Sequence, residues 1–106
     1  MSKFKNVAEI IRRHRHNTSY SQAVLSEKLG YKNGQFISNV ERGLCSVPAK
    51  QIGPISDLLK INSDEIVEAI IADKYVELRK AIHEHEMSKA QPDIFAKYRS
   101  VGVDLQ

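Results

Sequence analysis

Four polar side chains between positions 35 and 42 form a row on one side of a predicted helix. Gln35, Ser38, Asn39 and Arg42 fall at i, i+3, i+4 and i+7, which places them on one helical face. Short amide and hydroxyl side chains hydrogen-bond the edges of bases, and an arginine reaches a phosphate. The row therefore predicts base contacts by Gln35, Ser38 and Asn39 and a phosphate contact by Arg42.

The row belongs to the second of two short predicted helices that are joined by a turn. The first of these follows the N-cap Ser21, and Gly30 ends it by adopting the left-handed conformation. Residues 33–34, Asn-Gly, form the turn that precedes the second helix. Ile37 and Val40 are three residues apart and point inward, so the second helix has an apolar and a polar side.

Positive charge is concentrated in the part of the chain that contains this row. Residues 1–60 carry ten Lys and Arg against four Asp and Glu, a net charge of +6. Residues 61–106 carry six Lys and Arg against nine Asp and Glu, a net charge of −3. This asymmetry favours a polyanion as the partner of the N-terminal half and a different role for the C-terminal half.

Hydrophobic periodicity predicts five helices and no convincing strand. The first helix ends at about His14 or His16, and a fourth has Pro48 in its first turn. A long fifth helix runs from about Asp64 to His85 or beyond. The expected fold class is all-α.

Several short motifs, in a fixed order along the chain, resemble a known family. They are Ile11-Arg12, Arg15, Ser21-Gln22, Leu25-Ser26, Leu29-Gly30, Ile37-Ser38, Val40-Glu41-Arg42-Gly43, Pro48 and Leu58-Leu59-Lys60-Ile61. Over about residues 5–70 the chain is similar to the Cro and phage-repressor (Xre-like) helix-turn-helix family. The resemblance implies a compact five-helix lambda-repressor-like DNA-binding domain at residues 1–70, with an extended C-terminal helix within residues 71–106.

The resemblance also implies roles for individual residues. Gln22 would open the second helix against a phosphate, and Lys32 and Asn33 in the turn would make further phosphate contacts. Arg15 matches a family arginine that forms a structural ion pair with the glutamate at position 41, here Glu41. Gln35, Ser38 and Asn39 would face bases, as their spacing already indicates.

The chain departs from the family pattern at three places. The segment between Gly30 and Ile37 has six residues where the family commonly has five. Ser26 replaces the usual alanine, a substitution that the fold tolerates if the hydroxyl bonds back to a carbonyl. His14 replaces a leucine, and a partly buried, hydrogen-bonded histidine is the expected outcome.

The fifth helix carries a second apolar stripe beyond the residues that the family domain needs, which are Ile66 and Ile70. Its members share one side of the helix and are Val67, Ile71, Tyr75, Leu78 and Ile82. We expect this stripe to be buried against a second copy, so that the C-terminal extension makes a homodimer. A shorter apolar pattern in the tail, Ile94 to Val101, would fold back on the long helix or cross to the partner, and disorder from about Gln91 is the third alternative.

Other classes of function have little support in the sequence. The sequence contains no nucleophile and general base at the spacing of a known catalytic motif, and no glycine-rich phosphate-binding loop. We therefore expect that the protein is not an enzyme and needs no cofactor. His83 and His85 point to different helix faces, which argues against a metal site. The chain has no run of 18 apolar residues, so we expect no membrane partner. A single cysteine, Cys45, cannot form an internal disulfide, which favours the reducing cytoplasm, and the predicted DNA binding favours association with the nucleoid there.

The sequence thus predicts a sequence-specific DNA-binding transcriptional regulator, a repressor that binds an inverted-repeat operator as a dimer. Two alternatives stay open. One is an antitoxin that represses its own operon and binds a toxin protein through the C-terminal half. The other is a protein-interaction module that kept the helix-turn-helix fold without DNA binding.

Overall fold

The structure is a computed structural model that describes residues 3–89. This part of the chain forms five helices, which are α1 (Lys5–His16), α2 (Gln22–Lys28), α3 (Gln35–Glu41), α4 (Ala49–Leu59) and α5 (Ser63–Lys89). No strand occurs among these residues, so the predicted all-α, five-helix fold is confirmed. The expectation for the tail, Ile94 to Val101, lies outside the described residues.

The chain divides into two compact units, Met1–Tyr75 and Val76–Gln106. The first unit contains α1 to α4 and the beginning of α5, and the described part of the second unit is the remainder of α5. No helix within residues 3–89 is both long enough and apolar enough to cross a membrane.

The hydrophobic core lies in the first unit and receives aliphatic side chains from all five helices. Its buried members are Val7, Ile11, Leu25, Leu29, Ile37, Val40, Val47, Ile55, Leu59, Ile66 and Ala69. Burial of one such large aliphatic side chain stabilises a fold by about 1.5–3 kcal/mol. Because Ile37 and Val40 are fully buried here, the core fixes which side of α3 faces outward.

The ends of the short helices follow from local chemistry. The Ser21 hydroxyl accepts the Val24 N–H at 3.0 Å and caps α2, as the sequence predicts. Gly30, with φ of +96°, follows the C-cap of α2 in the left-handed region that only glycine enters at no cost. The expected place of Pro48 in the first turn of α4 is wrong by one residue, since Pro48 has an extended backbone and α4 begins at Ala49.

A buried carboxylate from α5 caps the N-terminus of α1. Asp73 is 5% exposed, and its two oxygens accept the backbone N–H groups of Asn6 and Val7 at 2.9 and 3.0 Å. The Asn6 side-chain amide donates to the same carboxylate at 2.9 Å. The N-cap residue of α1, Phe4, has no side-chain acceptor, so Asp73 supplies the cap from a distant part of the chain.

Candidate nucleic-acid interface

Helix α3 has the two-sided character that its sequence predicts. Ile37 and Val40 are fully buried in the core. Gln35 and Arg42 are exposed, and Ser38 and Asn39 are partly exposed. The structure therefore brings the four predicted residues together on the outer side of one short helix.

Two of the outward amides are hydrogen-bonded to each other. Nε2 of Gln35 donates to Oδ1 of Asn39 at 2.7 Å, across one turn of α3. An amide NH2 group has two hydrogens and an amide oxygen has two lone pairs, so both side chains keep hydrogen-bonding capacity. The pair therefore presents a fixed pattern of donors and acceptors rather than two independently rotating side chains.

The first turn of α3 is held by side chains that precede it in the sequence. Oδ1 of Asn33 accepts the Gln35 N–H at 2.9 Å. Oγ of Ser26, which is fully buried in α2, accepts the Ile37 N–H at 3.1 Å. Ser26 therefore caps α3 from the neighbouring helix, and accepting this amide, rather than a bond back to a carbonyl, accommodates its hydroxyl. The physical reason is that Gly34, the N-cap of α3, has no side chain to satisfy that amide.

Gly34 also allows α2 and α3 to approach closely. A Cβ atom at this position would lie 3.0 Å from both the Cα and the backbone nitrogen of Ala23. Sequence reasoning identified Gly34 only as a turn residue. Its second role becomes visible only when the neighbouring helix is in place.

The end of α3 is fixed to α1 by the ion pair that the resemblance implied. Nε of Arg15 donates to Oε2 of Glu41 at 2.5 Å, and Nη2 donates to Oε1 at 3.1 Å. Nη1 of Arg15 donates to the Tyr20 carbonyl oxygen at 3.1 Å. Glu41 is 6% exposed, so this bidentate pair is largely withdrawn from solvent.

Gln22 joins this ion pair instead of facing outward without a partner. Its Nε2 donates to Oε1 of Glu41 at 3.0 Å. That bond uses one amide hydrogen, so the predicted phosphate contact of Gln22 now concerns its other hydrogen and its Oε1. The structure thereby links the start of α2, the end of α3 and α1 through one buried carboxylate.

The other predicted phosphate-binding residues flank the row on α3. Lys32 and Asn33 are exposed in the turn before the helix, and Arg42 is exposed at its end. Arg42 also lines a groove between α1 and α3 together with Lys5 and Arg12. Arg12, which the sequence left without a role, therefore lies beside the predicted phosphate-binding arginine.

Two polar residues that position the helices escaped sequence reasoning. Asp73 caps α1, and the buried Gln51 of α4 donates to the Leu29 carbonyl oxygen at the end of α2, at 3.2 Å. Asp73 stands seven residues after the core residue Ile66, which is a helical repeat, so periodicity alone places it on the inner face of α5. That signal was available in the sequence.

Three further side chains near the core, Phe36, His14 and Cys45, have structural surroundings. Phe36 stacks on Tyr31 with ring centroids 4.2 Å apart, and Nε2 of His14 lies 3.2 Å from Oε1 of Glu65. Burial raises the pKa of the Cys45 thiol, which keeps it in the unreactive protonated form. Residues 3–89 contain no group of three or more His, Cys, Asp or Glu arranged to hold a metal ion.

The predicted dimer stripe on α5 is mostly exposed. Val67 is partly buried, whereas Ile71 and Tyr75 are 60% and 64% exposed. In the second unit, Leu78 and Ile82 are 51% and 44% exposed. Removing apolar side chains from water lowers the free energy, so these positions are candidates for contact with another molecule.

No protein-family model, curated protein or solved structure matches the chain in the corresponding comparisons.

Proposed function

We propose that this protein is a sequence-specific DNA-binding transcriptional regulator that acts as a homodimer. The observation that carries the proposal is the outer side of α3, where Gln35, Ser38 and Asn39 form a row of short hydrogen-bonding side chains. The similarity of the sequence motifs to the Cro and phage-repressor family supports the same function.

An α-helix fits the major groove of B-DNA, where each base pair has its own pattern of donors and acceptors. Reading that pattern requires a helix whose orientation is fixed. Contacts from Ser26 and Asn33 hold the start of α3, and Arg15 and Gln22 hold its end through Glu41. This support on both ends favours base contacts over a loosely attached, solvated helix.

Positive side chains next to the row supply the contacts to phosphate that position such a helix. Arg42 and Arg12 line the groove at the end of α3, and Lys32 precedes its start. Such contacts contribute affinity for any sequence and depend strongly on salt. Together with the net charge of +6 in residues 1–60, they favour DNA as the partner of the first unit.

The apolar stripe on α5 supports a dimer. Successive helical residues are rotated by about 100°, so Ile71 and Tyr75 lie on the side of α5 opposite to the buried Ala69 and Asp73. Core residues of the same domain pack on that buried side and leave the stripe uncovered. A symmetric pair of stripes would form an isologous interface, and its operator would be an inverted repeat with half-sites about 10 base pairs apart or a multiple of that.

The antitoxin alternative has one observation in its favour, which is the second unit. Val76, Leu78, Ile82 and Met87 expose apolar surface in a region without any core residue of the described chain. A different protein, such as a toxin, could bury this surface as well as a second copy of the chain could. Light scattering separates the two, because a homodimer forms in the purified protein alone.

The decisive experiment is selection of bound sequences from a random duplex pool, followed by affinity measurement on the selected operator. Gln35→Ala and Asn39→Ala should each weaken specific binding by roughly 1–3 kcal/mol and leave non-specific binding nearly unchanged. Arg42→Ala should weaken binding to all sequences and reduce the salt slope by about one unit.

Arg79→Ala, an exposed arginine outside α3, is the matched control for Arg42. Wild-type protein that enriches no sequence would contradict the proposed function and leave the protein-interaction module as the better reading.

A further inference from the structure

A groove between α1 and the end of α3 carries three exposed positive side chains. It has a volume of about 180 Å³, and the residues that line it are Lys5, Ala8, Glu9, Arg12, Glu41 and Arg42. The cations Lys5, Arg12 and Arg42 have no ion-pair partner among residues 3–89. Their charges therefore remain available to a negative group that enters the groove.

The acidic residues of the lining do not cancel this charge. Glu41 is 6% exposed, and its two oxygens already accept hydrogen bonds from Arg15 and Gln22. Glu9 is the other acid in the lining and opposes three cations, which leaves an excess of two positive charges. A guanidinium group donates two parallel hydrogen bonds to a phosphate, so this lining favours a phosphate group as the ligand.

The groove begins where the row on α3 ends. Arg42 is the last residue of that row and also lines the groove. The Arg15–Glu41 ion pair holds α1 against this end of α3, and Arg12 lies about one turn before Arg15. A helix in the major groove has a sugar-phosphate strand on either side of it, so a strand that borders α3 would pass Arg42 and then α1.

Lys5 extends the positive lining along α1. It stands seven residues before Arg12, which is about 10 Å along the helix, and Glu9 lies on the same face between them. The turn that carries Lys5 is fixed, because Asp73 accepts the backbone N–H groups of the next two residues. Helix α1 therefore presents positive charge along a length of strand rather than at one point.

We infer that α1 is a second DNA-binding element, in which Lys5 and Arg12 contact phosphates of the backbone and Glu9 opposes them. This inference rests on the DNA binding that the proposed function includes. Contacts to the backbone carry no sequence information, so the three residues act equally on every duplex. Each cation adds affinity and Glu9 removes it, and salt screens both effects.

Loss of positive charge is the first test, measured as affinity for a random duplex between 50 and 200 mM salt. Arg12→Gln and Lys5→Gln should each weaken binding and lower the salt slope by about one unit, so affinity falls about 3.5-fold less across that range. The control Arg13→Gln removes the same charge from the next exposed position, which does not line the groove. Equal effects at positions 12 and 13 would contradict the inference.

Loss of the opposing acid is the second test, and it predicts a gain that misfolding does not produce. Glu9→Gln should strengthen binding to every duplex by about 1.5- to 5-fold at low salt. The control Glu68→Gln lines a different groove, between α1 and α5, and should leave affinity nearly unchanged. A Glu9→Gln variant that binds no more tightly than wild type would overturn the role of Glu9.

Duplexes that carry one uncharged methylphosphonate at a time locate the contact on the selected operator. Wild type and Arg13→Gln should lose affinity at the phosphate that Arg12 contacts, whereas Arg12→Gln should lose none there. Inorganic phosphate exchanged for chloride at constant ionic strength tests a free anion as the ligand. If it weakens wild type and not Arg12→Gln, while no methylphosphonate distinguishes them, the groove binds free phosphate and the inference is wrong.

The outcomes separate this inference from the proposed function. If wild type binds no duplex, both fail together. If the groove variants behave as expected but wild type enriches no sequence, sequence-specific regulation fails and the inference stands. If wild type enriches an operator and the groove variants match their controls, the inference fails and the proposed function stands, with circular dichroism confirming that the helices of each variant are intact.

Discussion

The outer side of α3 and the exposed stripe of α5 differ in chemistry and in how they are supported. On α3 the outward side chains are polar, and buried groups of α1 and α2 fix the helix behind them through Arg15 and Ser26. On α5 the outward side chains of the stripe, Ile71 and Tyr75 in the first unit and Leu78 and Ile82 in the second, are apolar and lie on a single helix. A surface that must read a pattern needs rigid support, whereas a surface that buries area against another molecule needs only the area.

This difference predicts where substitutions act. Substitutions of the groups that hold α1 and α3 in place should lower the free energy of unfolding, because these groups are largely buried and their partners would lose hydrogen bonds. Changes on the α5 stripe should alter assembly and leave the fold of the chain in place. The four substitutions below test that division and are ordered by their expected effect on the free energy of unfolding.

The largest effect is expected for Arg15→Met. It leaves the carboxylate of Glu41 buried with the amide of Gln22 as its one remaining hydrogen-bond donor within residues 3–89, and breaking a buried ion pair in this way costs about 3–5 kcal/mol. Urea unfolding followed by circular dichroism measures the loss. The double variant Arg15→Met with Glu41→Leu removes both charges and should recover most of it. A single variant as stable as wild type would show that the pair does not support α3.

Asp73→Ala comes next, with an expected loss of about 2–3 kcal/mol, because it leaves the first-turn N–H groups of α1 buried without an acceptor. Asp73→Asn keeps one oxygen and should lose roughly half as much. The matched control on the same helix is Tyr75→Ala, two residues away and 64% exposed, where surface substitutions usually change stability by less than about 0.5 kcal/mol. Both variants are compared at a protein concentration at which the chain is monomeric. Equal losses at positions 73 and 75 would contradict the assignment of inner and outer faces of α5.

Gly34→Ala should cost about 2 kcal/mol, since the added methyl group meets the backbone of Ala23 at 3.0 Å and pushes α2 and α3 apart. The control is Gly53→Ala in α4, where a new Cβ meets nothing within 4 Å. Its usual helical gain is offset because alanine before Pro54 is disfavoured in a helix, so little net change is expected. Thermal melts of both variants compare them directly, and an unchanged melting temperature for Gly34→Ala would show that the helices have room to separate.

The same helices show which features of the fold the sequence could predict and which it could not. Helix periods, the caps at Ser21 and Gly30, and the inward Ile37 and Val40 are local patterns, and the structure contains all of them. The hydroxyl of Ser26 and the clash at Gly34 depend on how closely two helices approach, which no spacing along the chain encodes. Asp73 is intermediate: its place on the inner face follows from periodicity, but its bonds to α1 depend on a contact over 66 residues or more.

The smallest effect on folding, and the largest on assembly, is expected for Leu78→Lys with Ile82→Lys. Both side chains are about half exposed, at 51% and 44%, and lysine is a good helix former, so each change should alter the free energy of unfolding of the monomer by less than about 0.5 kcal/mol. Wild type should be a dimer by light scattering at tens of micromolar, and its melting temperature should rise with protein concentration. The double variant should be a folded monomer without that concentration dependence and with much weaker operator binding.

The matched control is Val76→Lys with Met87→Lys, because these side chains are equally apolar and 58% and 63% exposed. At 100° per residue they lie on the opposite side of α5 from Leu78 and Ile82, so the dimer should survive. Loss of the dimer in both double variants would show that assembly needs the whole circumference of the helix. A monomeric wild type would remove the homodimer and favour a different protein as the molecule that covers the stripe.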